Sequence, residues 1–115
     1  MEDKEFSGKV ALVTGAANGI GRASAIKLAE KGAKIICSDV KEISGNKTVS
    51  EITENGGSAH FIRADVSNQA EVKSLMEQII KSHNRLDFSF NNAGIGLFDK
   101  TIDNITEGIL KKWIL

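Results

Sequence analysis

The sequence predicts an α/β fold, an open parallel sheet doubly wound by helices, within one domain spanning residues 1–115. Three observations predict it. Short apolar runs alternate with stretches of helical periodicity from Lys9 onward. A glycine-rich turn joins the first run to the first periodic stretch. Glycine or polar clusters fall at the carboxyl end of every apolar run, where open parallel sheets place their ligands. Right-handed crossovers then give the strand order 3-2-1-4, with the sheet truncated after its fourth strand and the start of the next helix.

Lys9-Val10-Ala11-Leu12-Val13-Thr14 is a short, mostly apolar run ending in glycine, suited to a strand buried on both faces. Gly21, Ala25, Leu28, Ala29 and Gly32 then recur on one helical face, closing at a glycine, and their small size permits close packing on a sheet. Ala33–Asp39 is the second strand. A polar stretch from Ser44 to Asn55, with Val49 and Ile52 at helical spacing, ends at Gly56-Gly57. Ala59–Ala64 alternates more than the earlier strands, as an edge strand does. Asn68 with Glu71 resembles a capping box, and Val72, Leu75, Met76, Ile79, Ile80 and His83 share one face behind it. Leu86–Asn91 is the fourth strand, and Ile105, Ile109, Leu110, Trp113 and Ile114 outline a terminal helix.

Composition excludes several classes of function. Lys plus Arg equals Asp plus Glu at 15 each, so no charge excess points to nucleic acid or an anionic membrane. No run is long enough to span a bilayer, and the acidic start Met1-Glu2-Asp3-Lys4-Glu5 lacks the pattern of a signal peptide, so the expected location is cytoplasmic. One cysteine, Cys37, permits no internal disulfide, and its apolar surroundings predict an inert thiol. His60 and His83 lack ligand spacing, so no metal site is expected.

The chemistry concentrates at the strand ends. Thr14-Gly15-Ala16-Ala17-Asn18-Gly19-Ile20-Gly21 offers close backbone approach and helix N-terminal amides, which a diphosphate needs. Glycines in such a turn also serve tight folding alone. Asp39, 18 residues past Gly21, can accept hydrogen bonds from ribose hydroxyls and would repel a 2′-phosphate. Neither Asn18 nor Val40 supplies a cation for that phosphate, so NAD is expected and NADP is the less favoured cofactor, with Lys41 the one nearby cation. Asp65-Val66 and Asn91-Asn92-Ala93-Gly94 occupy the ends of strands three and four, although both also suit ordinary turns.

In order and spacing, Thr14-Gly-x-x-x-Gly-Ile-Gly21, Asp39, Asp65-Val66, Arg85-Leu86-Asp87 and Asn91-Asn-Ala-Gly94 resemble the N-terminal half of short-chain dehydrogenases/reductases. The resemblance implies a Rossmann-like fold and an oxidoreductase that moves hydride between a nicotinamide and an alcohol or carbonyl. It further implies that Gly15, Asn18, Gly19, Ile20 and Gly21 line the diphosphate and approach the nicotinamide. Asp39 would hold the adenosine ribose, Asp65 and Val66 would flank adenine, and Asn92, Ala93 and Gly94 would pass behind the ribose. Asn91 would brace neighbouring strands. Phe88-Ser89-Phe90 departs from the family, which has small β-branched residues there.

The same resemblance implies a catalytic tyrosine four residues before a lysine, and the chain contains no tyrosine. Trp113 resembles a position just before the family's relay asparagine. The chain alone is therefore expected to be catalytically inactive, with no catalytic residue of its own. Its apolar flank is expected to favour self-association, or association with full-length relatives. Two other readings of the same residues are a non-enzymatic nucleotide-binding or association protein and a vestigial truncated product.

Overall fold

The computed structural model describes residues 4–92. β1 (Val10–Thr14) is buried along its whole length, as an apolar run covered on both faces should be. It is followed by α1 (Gly19–Glu30), β2 (Lys34–Asp39), α2 (Glu42–Glu54), β3 (Ser58–Arg63), α3 (Gln69–His83) and β4 (Phe88–Asn91). The strands are parallel in the order β3-β2-β1-β4. The terminal stretch from Asn104, with Trp113, lies outside the described residues, as do Ala93 and Gly94.

Side chains alternate across the sheet and build a core on each face. Leu12 and Ile36 join Leu75, Met76 and Ile79 of α3 on one side. Ala11, Val13, Ile35 and Cys37 meet Ala25 and Ala29 of α1 and Ile52 of α2 on the other. Burial pushes the Cys37 thiol up to about 12, so it stays protonated and unreactive in the folded chain.

Gly21, Ala25 and Ala29 are the buried residues of α1, and Gly32 closes it with φ of 100°. In α2 the buried face is Gly45, Thr48 and Ile52, with Val49 only partly covered. That face reads weakly in the sequence because two of its three members are not hydrophobic. Gly45 is required by packing: a Cβ there would stand 2.1 Å from Cε1 of Phe61. α2 also begins at Glu42, ahead of the expected Ser44.

Half of the expected capping box forms at α3. The Asn68 side chain accepts from the Glu71 amide at 3.2 Å. The Glu71 carboxylate reaches past the cap to accept from the Asp65 amide at 2.9 Å and from Arg63 at 3.1 Å. At the other end Asn84 takes the left-handed conformation, with φ of 62°, that ends helices.

β4 starts at Phe88 instead of Leu86. Leu86 is buried in the core beneath α3, and Asp87 ends the ladder: its Oδ2 accepts from the Val10 amide at 2.8 Å while its own amide donates to the Val10 carbonyl at 2.8 Å. Arg85 grips the same carboxylate through Nε at 2.8 Å and through a terminal nitrogen at 2.7 Å. β3, at the sheet margin, shows the alternating exposure expected of an edge strand.

Candidate nucleotide-binding site

The parallel register brings the carboxyl ends of all four strands to one margin, with Thr14 beside both Ser38 and Asn91, and Asp39 beside Arg63. The turn after β1 is shaped by two glycines with positive φ, Gly15 at 65° and Gly19 at 60°. Gly21, in the first turn of α1, packs directly on that turn. A Cβ on Gly21 would lie 2.0 Å from the Gly15 carbonyl oxygen and 2.8 Å from Nδ2 of Asn92. Asn92 donates to the same carbonyl at 3.4 Å, tying the end of β4 to the turn after β1.

Asn18 is extended and exposed, its side chain making no cap to α1. Ile20 is 69% exposed on the same first turn, an apolar side chain held out at the strand-end margin. The first amides of α1 point toward this margin with the positive end of the helix dipole. Behind the turn, the buried Thr48 hydroxyl donates to the Ala16 carbonyl at 2.9 Å, so α2 fixes the turn's shape. Arg22 and Glu51 form an ion pair that joins α1 to α2 beside it.

Asp39 ends β2. Its Oδ2 accepts from the Ala17 amide at 3.1 Å and its Oδ1 from the Lys41 amide at 3.0 Å. Between the ends of β2 and β3 lies a cavity of 190 Å³ lined by Gly15, Ser38, Asp39, Val40, Ala64, Asp65 and Val66. Asp65 turns its Oδ1 to the Ser67 hydroxyl at 2.6 Å and the Ser67 amide at 3.0 Å. Those hydrogen bonds hold its carboxyl below the usual range. Ser38, fully buried beside the cavity, carries a hydroxyl with no hydrogen-bond partner among the described residues. Leaving a buried hydroxyl unpaired costs about 1–3 kcal/mol.

The structure therefore gathers Gly15, Asn18, Gly19, Ile20, Gly21, Asp39, Asp65, Val66 and Asn92 at one margin of the sheet. Sequence reasoning missed Thr48, Ser38 and the reach of Glu71. Thr48 sits four residues before Ile52 and three after Gly45, a buried face masked by its polarity. Among the described residues no three His, Cys, Asp or Glu side chains gather as a metal site would require.

The family model for short chain dehydrogenases matches residues 9–114. The chain belongs to the short-chain dehydrogenase/reductase family. It is 40% identical over 102 residues to a 3beta-hydroxysteroid dehydrogenase from Mediterraneibacter gnavus, covering 89% of this chain and 37% of that one. It is 40% identical over 92 residues to tropinone reductase-like 2 of Erythroxylum coca, covering 80% and 32%. The chain thus spans about a third of the length of these relatives. A short-chain dehydrogenase/reductase from Burkholderia phymatum, solved in complex with NAD, superposes with a TM-score of 0.86 at 29% identity, covering 96% of this chain and 46% of that one. A metagenomic short-chain oxidoreductase solved with NADP gives 0.76 at 35%, covering 79% and 41%. The fold is the Rossmann-like sheet of this family, and a nicotinamide dinucleotide is its cofactor class.

Proposed function

We propose that residues 1–115 are the NAD-binding part of a short-chain oxidoreductase that moves hydride between nicotinamide and an alcohol or carbonyl group. The observation that carries the preference for NAD is Asp39, a carboxylate at the end of β2 beside the 190 Å³ cavity. A 2′-phosphate there would face a negative charge, and Asn18 and Val40 provide no cation to offset it.

The residues fit the cofactor. Gly15 and Gly19 keep the turn open to a diphosphate, and the N-terminus of α1 supplies amides and a favourable dipole. Asp39 would hold the adenosine ribose, and Asp65 and Val66 would flank the base. Gly15, Asn18, Gly19, Ile20 and Gly21 would line the diphosphate and the approach to nicotinamide. Asn92, Ala93 and Gly94 would pass behind the ribose.

Bound there, the dinucleotide would supply or accept hydride. These residues bind and orient it, and proton transfer at the substrate oxygen needs a further group of suitable pKa. With no tyrosine in its sequence, the chain alone is proposed to bind without turning over. Exposed Phe88 and Phe90 on β4 favour self-association through that flank. No helix among the described residues is long and apolar enough to cross a membrane, and a cytoplasmic location accords with this reading.

Calorimetric titration of the 115-residue chain with NAD and NADP tests the proposal. Tighter binding of NAD supports it. Equal or tighter binding of NADP removes the role assigned to Asp39, and failure of folded protein to bind either leaves a structural half-fold.

A further inference from the structure

His60 lies on β3, at the margin of the sheet, and His83 is the last residue of α3. Parallel pairing sets His60 beside Ile36, whose side chain joins the core beneath α3, so His60 faces the same helix. The two imidazole rings come to 5.6 Å between centroids, tilted by 52°. They open on a cavity of 360 Å³ that is lined also by buried Ile36 and Ile79 and by exposed Gln78, Lys81 and Ser82. This cavity shares no wall with the 190 Å³ cavity at the strand ends.

Two imidazoles at this separation suit a single ion between them. A transition metal held about 2.0–2.1 Å from one nitrogen of each ring, near the tetrahedral angle, sets the ring centres roughly 5 Å apart. Small side-chain rotations take the observed 5.6 Å to that value. His60 is exposed and His83 half-buried, so both rings can turn without disturbing the core. The carboxyl end of α3 adds the negative end of its dipole, which favours a cation. No carboxylate lines the cavity, so calcium and magnesium find no oxygen ligand set there, whereas imidazole nitrogen suits zinc, nickel and copper. Lys81, and Lys34 close enough to act on His83, oppose a cation and restrict the site to metals that bond imidazole strongly.

We infer that His60 and His83 form a two-imidazole site for a divalent transition metal of the zinc class, clamping the end of α3 to the edge strand. A pair falls short of the three-residue cluster of a closed centre, and the described residues hold no such cluster. Water therefore completes the shell, with Gln78 and Ser82 in the same cavity to bind it, and the ion is exchangeable. Among the described residues β3 has a strand neighbour on one side only, so the clamp would secure the free margin of the sheet. The inference stands apart from the nucleotide reading. The pair is hidden in the sequence because one ligand comes from a strand and the other from a helix.

The test is calorimetric titration of wild type, His60→Gln and His83→Gln with zinc chloride, with magnesium chloride as the control, alongside melts with and without zinc. The expected result is one zinc per wild-type chain, binding about tenfold or more weaker in each variant, and no magnesium binding. Zinc is expected to raise the melting temperature of wild type and to leave that of His60→Gln unmoved. His60 is exposed on its strand, so His60→Gln keeps the test valid even where His83→Gln disturbs the end of α3. Absence of zinc binding by folded wild type, wild-type affinity in His60→Gln, or magnesium binding of equal strength would overturn the inference. A loss confined to His83→Gln would assign the ion to a single imidazole and would overturn it equally.

Discussion

The Asp39 carboxylate accepts a hydrogen bond from the Ala17 amide at 3.1 Å, so the acid at the end of β2 also holds the turn after β1. The two duties separate by substitution. Asp39→Asn keeps one oxygen for the Ala17 amide, removes the charge and gives up the acceptor at the Lys41 amide, so we expect its melting temperature to fall by less than that of Asp39→Ala. Its preference for NAD over NADP is expected to fall by about tenfold, or about 1.4 kcal/mol. Asp39→Ala should lose the turn contacts as well, at about 1.5–3 kcal/mol for hydrogen bonds to a charged acceptor. Parallel calorimetry and urea melts check both, and an unchanged cofactor ratio in Asp39→Asn would count against an electrostatic origin.

Gly21 and Gly19 are two residues apart and should respond differently to alanine. At Gly21 the added Cβ lies 2.0 Å from the Gly15 carbonyl oxygen, a backbone atom that cannot step aside cheaply. Overpacking of this kind costs about 1–3 kcal/mol or more and should also spoil the nucleotide turn. At Gly19 nothing lies within 4 Å, and the cost comes from its φ of 60° alone, about 1–2 kcal/mol. Urea midpoints should rank wild type above Gly19→Ala above Gly21→Ala, and the reverse order of the variants would refute the close contact.

Much of this was legible in the sequence because the signals were redundant. The strand order followed from alternation of apolar runs with helices, and the margin carrying Gly15, Asp39, Asp65 and Asn92 followed from their places at the ends of those runs. What stayed hidden depends on side chains meeting across elements. Gly45 reads as a poor helix residue until Phe61 is seen against it. Asp87 reads as an ordinary polar residue before a strand until its carboxylate is seen to accept the Val10 amide, which moves the start of β4 to Phe88. Glu71 reads as the second half of a capping box, and only the bend after β3 places the Asp65 amide within its reach.

Thr48 supports the site without being able to touch a ligand bound at the margin directly. Its hydroxyl donates to the Ala16 carbonyl at 2.9 Å from a fully buried position. Thr48→Val preserves shape and leaves that carbonyl unpaired, and should cost about 1–3 kcal/mol. Thr48→Ser retains the donor and should lose less. Guanidinium melts of the two variants decide the matter: equal losses would assign the effect to packing.

His83, at the end of α3, gives the fold a pH dependence. Burial, followed by the nearby charges of His60 and Lys34, holds its imidazole below the ordinary value. The folded chain therefore binds fewer protons at this group than the unfolded chain does. Its stabilising share is complete above the unfolded value of ~6.5 and is lost as pH falls through it, levelling off below the lowered folded value. Glu5, Asp65 and Asp87 are also held low, but they act in a separate window at and below ~4. Melting temperature is expected to decline between pH 7.5 and 5.5, and His83→Gln should flatten that decline. A variant with the wild-type slope would place the dependence elsewhere.

Cys37 stands in the middle of β2, between Val13 of β1 and Phe61 of β3, with no exposed surface. A thiol reagent cannot reach it while both neighbouring strands remain paired, and the protonated sulfur would not attack if it did. The chain's single cysteine is thus a built-in clock for the opening of its own sheet. The rate at which a thiol-reactive dye appears on the protein counts how often the centre of the fold comes apart, and any nucleotide that steadies the strand ends should slow that clock.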